Sequence, residues 1–327
     1  MPLPLPAATV CSCDRNLIRI CQGAEKRQHH KRVANTIIHP TVEEVPGRVP
    51  FATHYQGRDI SLKNLPAHVS HAYQTLAAAP KYKHFVRIPD RIIQCIDYFG
   101  IECDRVITRE RLQAYYLFIG VVDDAIDSGQ IDTGRLVLDH LSTPGPLFDG
   151  TVRRSKVRLI TEILKCQTET ETYPLMLNEL RQLYGEVVRE RAATSIDSYL
   201  DRRRSVGALT AEVSYVLISP LLKGEHEPLC RFMKEVGAIG CLVDSLIDLS
   251  ADRRLGLLGF KPGVRDYTKL IVNILRDGLR LSLRDPRLAG LFLRAIGDNV
   301  QDRFRAERRS PQPSFVSDRK AEPASVA

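Results

Sequence analysis

From residue 76 to residue 306, apolar side chains recur at three- and four-residue intervals, and strand-like alternation is almost absent. The stretch RERLQAYYLFIGVVDDAIDS, residues 109–128, is the plainest case. A chain patterned this way must bury its helical stripes against other helices, because it offers few strands to pack on. The expected fold class is therefore all-α, a single helical bundle over 76–306 without internal repeats. Helices are expected at about 152–168, 174–192, 195–222, 227–252, 264–283 and 286–306, with Pro220, Pro228, Pro262 and Pro286 near their ends. Asp132-Thr133-Gly134 looks like a helix start, and STPGPLFDG, residues 142–150, like a loop.

The two ends differ. Residues 1–75 are rich in Pro, His and basic residues without a sustained period, which suggests a poorly ordered or loosely attached extension. Cys11, Cys13, Cys21, His29 and His30 lie there, but their spacing fits none of the usual structural zinc patterns. Residues 307–327 are polar and proline-bearing, as a disordered tail would be. No apolar run approaches the roughly 20 residues that a membrane helix needs, so no transmembrane segment is expected. The opening MPLPLPAATV lacks a basic lead and a long apolar centre, which argues against a secretory signal. Eight irregularly spaced cysteines then fit reduced thiols in a cytoplasmic protein. The net charge of +8 suits a soluble surface, a polyanionic partner or a phosphorylated small substrate.

Carboxylates interrupt the apolar pattern in two places. In GVVDDAIDSG, residues 120–129, Asp123 and Asp127 stand one helical turn apart, with Asp124 beside them. Tyr116 shares their face seven positions earlier, so the acids end a partly apolar surface. In GCLVDSLIDLSADRR, residues 240–254, Asp244, Asp248 and Asp252 follow one another at four-residue intervals. Such a stripe drifts only about 40° per step around a helix. The intervening Leu246, Ile247 and Leu249 are apolar, and the upstream Gly237, Gly240 and Cys241 leave space before the stripe. Like charges so placed repel and need a cation to offset them. Two acid-lined helices suggest a bracket for Mg²⁺, which takes oxygen ligands and keeps water or phosphate in its shell. The Glu-x-x-His pairs of di-iron bundles and the calcium-loop pattern are both missing.

A cationic stretch completes the set. YLDRRRSVGAL, residues 199–209, places three arginines just before Gly207, which lies inside an otherwise helical run. A break or kink at Gly207 would let another group approach the backbone closely, and arginine forks suit phosphate oxygens.

Together these stretches resemble the class I isoprenoid synthases, the all-α superfamily of terpene cyclases and squalene and phytoene synthases. DDAID is similar to the family's DDxxD motif. DSLIDLSAD has the spacing of its second metal motif, and YLDRRRSVGAL is similar to its diphosphate-sensing segment. The resemblance spans roughly 85–305. It implies Mg²⁺, three ions with Mn²⁺ as a substitute, held by Asp123 and Asp127 with Asp124 supporting, and by Asp244, Asp248 and Asp252 opposite. Arg203 would be the diphosphate sensor, Val206 the linker and Gly207 the effector, with Arg253 and Arg254 joining the grip. Tyr116, Tyr199, Tyr215 and Phe232 are the pocket candidates.

The implied activity is a terpene cyclase that ionises farnesyl or geranylgeranyl diphosphate and releases diphosphate. Since the second motif is not another DDxxD, chain elongation is disfavoured. DLSADRRLG also resembles a segment of the squalene and phytoene synthases, so head-to-head prenyl coupling is the alternative. The Arg-Tyr pair of many bacterial cyclases is absent where expected, and its nearest analogue, Arg265 to Tyr267, comes too early. Two acidic stripes argue against a nucleic-acid partner, and intact metal motifs argue against a non-catalytic relative. Helical isoprenoid synthases often pair, so a homodimer belongs to what the resemblance implies.

Overall fold

The computed structural model describes residues 62–143, 147–148, 155–254, 256, 258–284 and scattered positions from 286 to 297. The Cys/His-bearing leader, the expected helix over 286–306 in most of its length, and the tail from 307 lie outside the described residues.

The described chain is all-α apart from one short strand pair. In order come α1 (Ala67–Ala77), α2 (Lys83–Tyr98), β1 (Glu102–Cys103), α3 (Arg105–Asp127), α4 (Thr133–Ser142) and α5 (Lys156–Gln167). Then follow α6 (Tyr173–Arg191), α7 (Ile196–Ile218), β2 (Leu222–Lys223), α8 (Glu227–Arg254) and α9 (Val264–Arg284). The expected helices between 152 and 283 are present with shifted ends. α7 stops at Ile218, short of 222, because Ser219–Leu221, with Pro220, tightens into a 3₁₀ turn before β2.

The helical body also begins earlier than residue 76. Val69, Tyr73 and Leu76 of α1 are buried in the main core. Their period is diluted in the sequence by His68, His71, Gln74 and several alanines, which is why the segment passed for part of the extension.

Local signals account for the ends of the long helices. Asp104 caps α3 by accepting from the amides of Val106 at 3.0 Å and Ile107 at 3.1 Å. At the other end the Gly129 amide reaches the Ile126 carbonyl and the Gln130 amide the Ala125 carbonyl, with Gly129 at φ +92°. That stop places Asp123, Asp124 and Asp127 in the last turns of α3. Ser195 caps α7, accepting from the Ser198 amide at 3.3 Å. The antiparallel β1–β2 pair joins the start of α3 to the loop before α8, at the opposite end of α3 from its acids.

Gly207 does not break α7, which is helical without interruption from Ile196 to Ile218. Its missing side chain serves a close helix crossing instead. A Cβ at Gly207 would sit 2.1 Å from the Gly237 carbonyl oxygen, and a Cβ at Gly237 would sit 2.3 Å from that of Gly207. The antiparallel α7 and α8 thus meet backbone to backbone. Helix propensity alone makes Gly207→Ala stabilising by about 1 kcal/mol. The crossing reverses that sign: the variant should lose about 1–3 kcal/mol in denaturant unfolding, and a gain would show that the helices can part without cost.

Candidate functional site

α2, α3, α4, α6, α7 and α8 enclose a cavity of about 450 Å³. Most of its wall is hydrocarbon or aromatic, including Phe85, Tyr116, Phe118, Tyr184 and Phe232. One end is charged. Asp123 and Asp127 line it from α3, while Asp244, Asp248 and Asp252 line it from α8. The two acidic stripes thus reach one cavity from two helices.

The acids are strained electrostatically. Burial raises the Asp127 carboxyl above its ordinary range, and the charge of Asp248 adds to the rise. Burial, opposed by Arg203 and reinforced by Asp248 and Asp127, pushes Asp252 up to about 6. Both stripes also sit toward the C-terminal ends of their helices, where the helix dipole is already negative. Arg253 and Arg254 lie in the last turn of α8, but both are exposed and neither lines the cavity. Arg191, at the end of α6, does line the cavity and acts on Asp127.

Asp124 is placed differently from the other acids. It does not line the cavity but pairs with Lys81 and accepts from the Tyr82 hydroxyl at 2.8 Å. Burial works against ionisation there, yet these partners hold its carboxyl below the usual range. Its helical position, 100° from Asp123, points it toward the chain before α2.

Arg203 is the hub of the charged end. Its guanidinium donates to Ser245 Oγ at 2.8 Å, to the Cys241 carbonyl at 3.3 Å, to Glu190 at 3.3 Å and to Asp244 at 3.3 Å. It therefore ties α6, α7 and α8 together while bordering the cavity. The neighbouring arginines do similar bridging outside the cavity. Arg202 pairs with Glu186 on α6, and Arg204 with Asp277 and Asn273 on α9. Val206 and Gly207 line the cavity as well.

Of the aromatic candidates, Tyr116 and Phe232 line the cavity and Tyr199 and Tyr215 do not. Tyr199 is buried behind the charged end, donating to Ser245 at 3.1 Å, and Tyr215 is engaged with His226. Sequence reading missed Phe85, Tyr184, Glu190 and Arg191 in this wall. Phe85 lies over Gly120, where an added Cβ would come within 2.4 Å of its ring, and Tyr184 covers Gly134 in the same way at 2.5 Å. A glycine in an apolar helix was the available signal, but it does not say which ring fills the space.

The donor set suits a hard cation, since it is all carboxylate and is divided between two walls. Among the described residues, no three Asp, Glu, His or Cys side chains converge closely enough to hold a metal alone. An ion here would complete its shell with water or ligand oxygen, in the manner usual for Mg²⁺. Compared with known proteins, the chain matches no family model, no curated protein and no solved structure.

The raised Asp252 has a signed consequence for the metal-free chain. Between the ordinary carboxylate value near ~4 and about 6, the folded state keeps a proton that the unfolded state has lost. Stability therefore falls as pH rises through that window. Asp252→Asn should leave the chelator-treated protein more stable than wild type above pH 6, and the advantage should vanish at low pH. Denaturant unfolding at both pH values checks this; a variant less stable at high pH would contradict the strain assigned to the cluster.

Proposed function

We propose that the chain is a Mg²⁺-dependent class I isoprenoid synthase that ionises a linear prenyl diphosphate, farnesyl or geranylgeranyl, and turns the cation into a terpene. The observation that carries this reading is one cavity with five aspartates from two helices at one end and a largely apolar, aromatic wall beyond them. A prenyl diphosphate has the same division, an anionic head on a hydrocarbon chain. The volume, about 450 Å³, lies within the range of roughly 300–1,000 Å³ usual for small-molecule sites.

In this reading Asp123 and Asp127 would hold Mg²⁺ from one wall and Asp244, Asp248 and Asp252 from the other, and a bound metal would supply positive charge to offset that on a leaving diphosphate. Arg191 faces the same oxygens from the rim. Arg203 exchanges a carboxylate partner for a diphosphate oxygen, which its fork geometry suits. The fixed cations are thus aimed at the place where charge develops. Tyr116, Phe85 and Phe232 turn ring faces or edges to the hydrocarbon, stabilise the allylic cation and keep water from it. Burial pushes the Tyr116 hydroxyl up to about 12, so it stays neutral.

Head-to-head coupling of two prenyl diphosphates is the second reading, and one observation favours it. His84, Arg87 and Arg91 on α2 line the same cavity, and basic groups there would suit a second diphosphate.

The test is incubation with geranyl, farnesyl and geranylgeranyl diphosphates, singly and in pairs, followed by mass spectrometry and diphosphate assay. Mg²⁺-dependent release with a hydrocarbon or terpene alcohol product is expected, whereas a coupled product would select the second reading. Asp123→Asn and Asp248→Asn should each slow release by about a hundredfold or more. Folded protein that releases nothing from any of the three would overturn both readings.

A further inference from the structure

Lys81 and Tyr82 lie on a short 3₁₀ turn, Pro80–Tyr82, directly before α2, and both reach the acidic end of α3. The Lys81 ammonium donates to Asp124 Oδ2 at 2.5 Å, and the Tyr82 hydroxyl donates to the same oxygen at 2.8 Å. Tyr82 is 2% exposed and belongs to the main core, which gives its hydroxyl a fixed origin. The Lys81 ammonium also lies 4.9 Å from the centre of that ring. Two donors on one turn thus hold Asp124.

The contact has a register. As the chain advances from Tyr82 to Phe85, its partner on α3 steps back from Asp124 to Gly120, whose backbone the Phe85 ring covers. α2 and α3 therefore meet antiparallel along one stripe. Asp127 and Asp123 lie about 60° and 100° around α3 from Asp124, both on the same side. Fixing Asp124 fixes the direction of both.

The last turn of α3 needs such a hold. Asp123, Asp124 and Asp127 repel one another at a helix end where the dipole is already negative, and the charge of Asp124 is felt at Asp127. Ala125 and Ile126 anchor the turn by burial. Apolar burial is non-directional, whereas hydrogen bonds to a single carboxylate oxygen specify an angle.

We propose that Lys81 and Tyr82 are positioning residues: by holding Asp124 they set the rotation of the last turn of α3 and so aim Asp123 and Asp127 into the cavity. This inference rests on the reading of those acids as metal-holding groups. It also gives Lys81 an effect opposite to that of its charge. A fixed cation beside the acids repels a divalent ion, so a Lys81 that acted by charge alone would weaken metal binding. A positioning Lys81 strengthens it, and the two roles differ in sign.

The test measures binding of Mn²⁺ with inorganic diphosphate to the full chain, read from the paramagnetic resonance of free Mn²⁺. Lys81→Met and Tyr82→Phe should each weaken binding by about tenfold, the lower end of what loss of an outer-shell partner costs a metal site. Lys81→Arg, which keeps a donor and the charge, should bind like wild type. Lys81 is 47% exposed and Tyr82→Phe removes a single oxygen, so circular dichroism should show wild-type helix content in each variant. In an Asp124→Leu background Lys81→Met should cost nothing further, because its effect runs through that carboxylate. Unchanged or tighter binding in Lys81→Met or Tyr82→Phe would overturn the proposal, as would losses that add in the Asp124→Leu background. Either result leaves the metal-holding reading standing. A folded wild-type chain that binds no Mn²⁺ with diphosphate would remove that reading, and this inference with it.

Discussion

The crossing of α7 and α8 at Gly207 and Gly237 sets the position of everything at the charged end of the cavity. With no side chain on either helix, the backbones meet, and any added Cβ would lie within 2.3 Å of a carbonyl oxygen. That approach brings Arg203 onto α8, where it reaches the Cys241 carbonyl, Ser245 and Asp244 together. Ser245 in turn accepts from Tyr199 and donates to the Cys241 carbonyl at 2.9 Å. Because interiors are close-packed, a shift of the crossing would propagate into this network and into the aspartates one and two turns further along α8.

The charged end is built against its own stability. Five carboxylates line one cavity toward the negative ends of two helices, with Arg203 and Arg191 among them. Arg203 is shared between Glu190 and Asp244, and Arg191 acts on Asp127. Burial, reinforced by the neighbouring carboxylates, raises the carboxyls of Asp127 and Asp252. Strongly perturbed acids in a cleft are a recurring mark of functional sites, and here the perturbation has a sign that a divalent cation would reverse. The cavity wall beyond them asks for the opposite chemistry, an uncharged chain.

Much of this was legible in the sequence, because it follows from spacing along single helices. The helical class, the helices from 156 to 284, and the stripes of Asp123 with Asp127 and of Asp244, Asp248 and Asp252 are all periodicity arguments. What was not legible depends on which helix lies opposite. Asp124 and Asp127 differ by only three positions, yet one meets Lys81 and Tyr82 while the other faces the cavity. Glu190, Arg191 and Phe85 carry no motif and become visible only when α2 and α6 are set beside α3 and α8. Gly207 stood out as costly in a helix, but a costly glycine can mean a bend or a close neighbour, and only the partner Gly237 distinguishes them.

If the two walls act as one clamp, their acids must be coupled through the ligand they share. The direct measurement is a double-mutant cycle on Mg²⁺-dependent binding of inorganic diphosphate, with Asp127→Asn on α3, Asp248→Asn on α8 and the pair combined. The account predicts strong non-additivity, each single variant losing most of the Mg²⁺-dependent affinity and the double variant losing little more. Losses that simply add, or diphosphate binding indifferent to Mg²⁺, would contradict it.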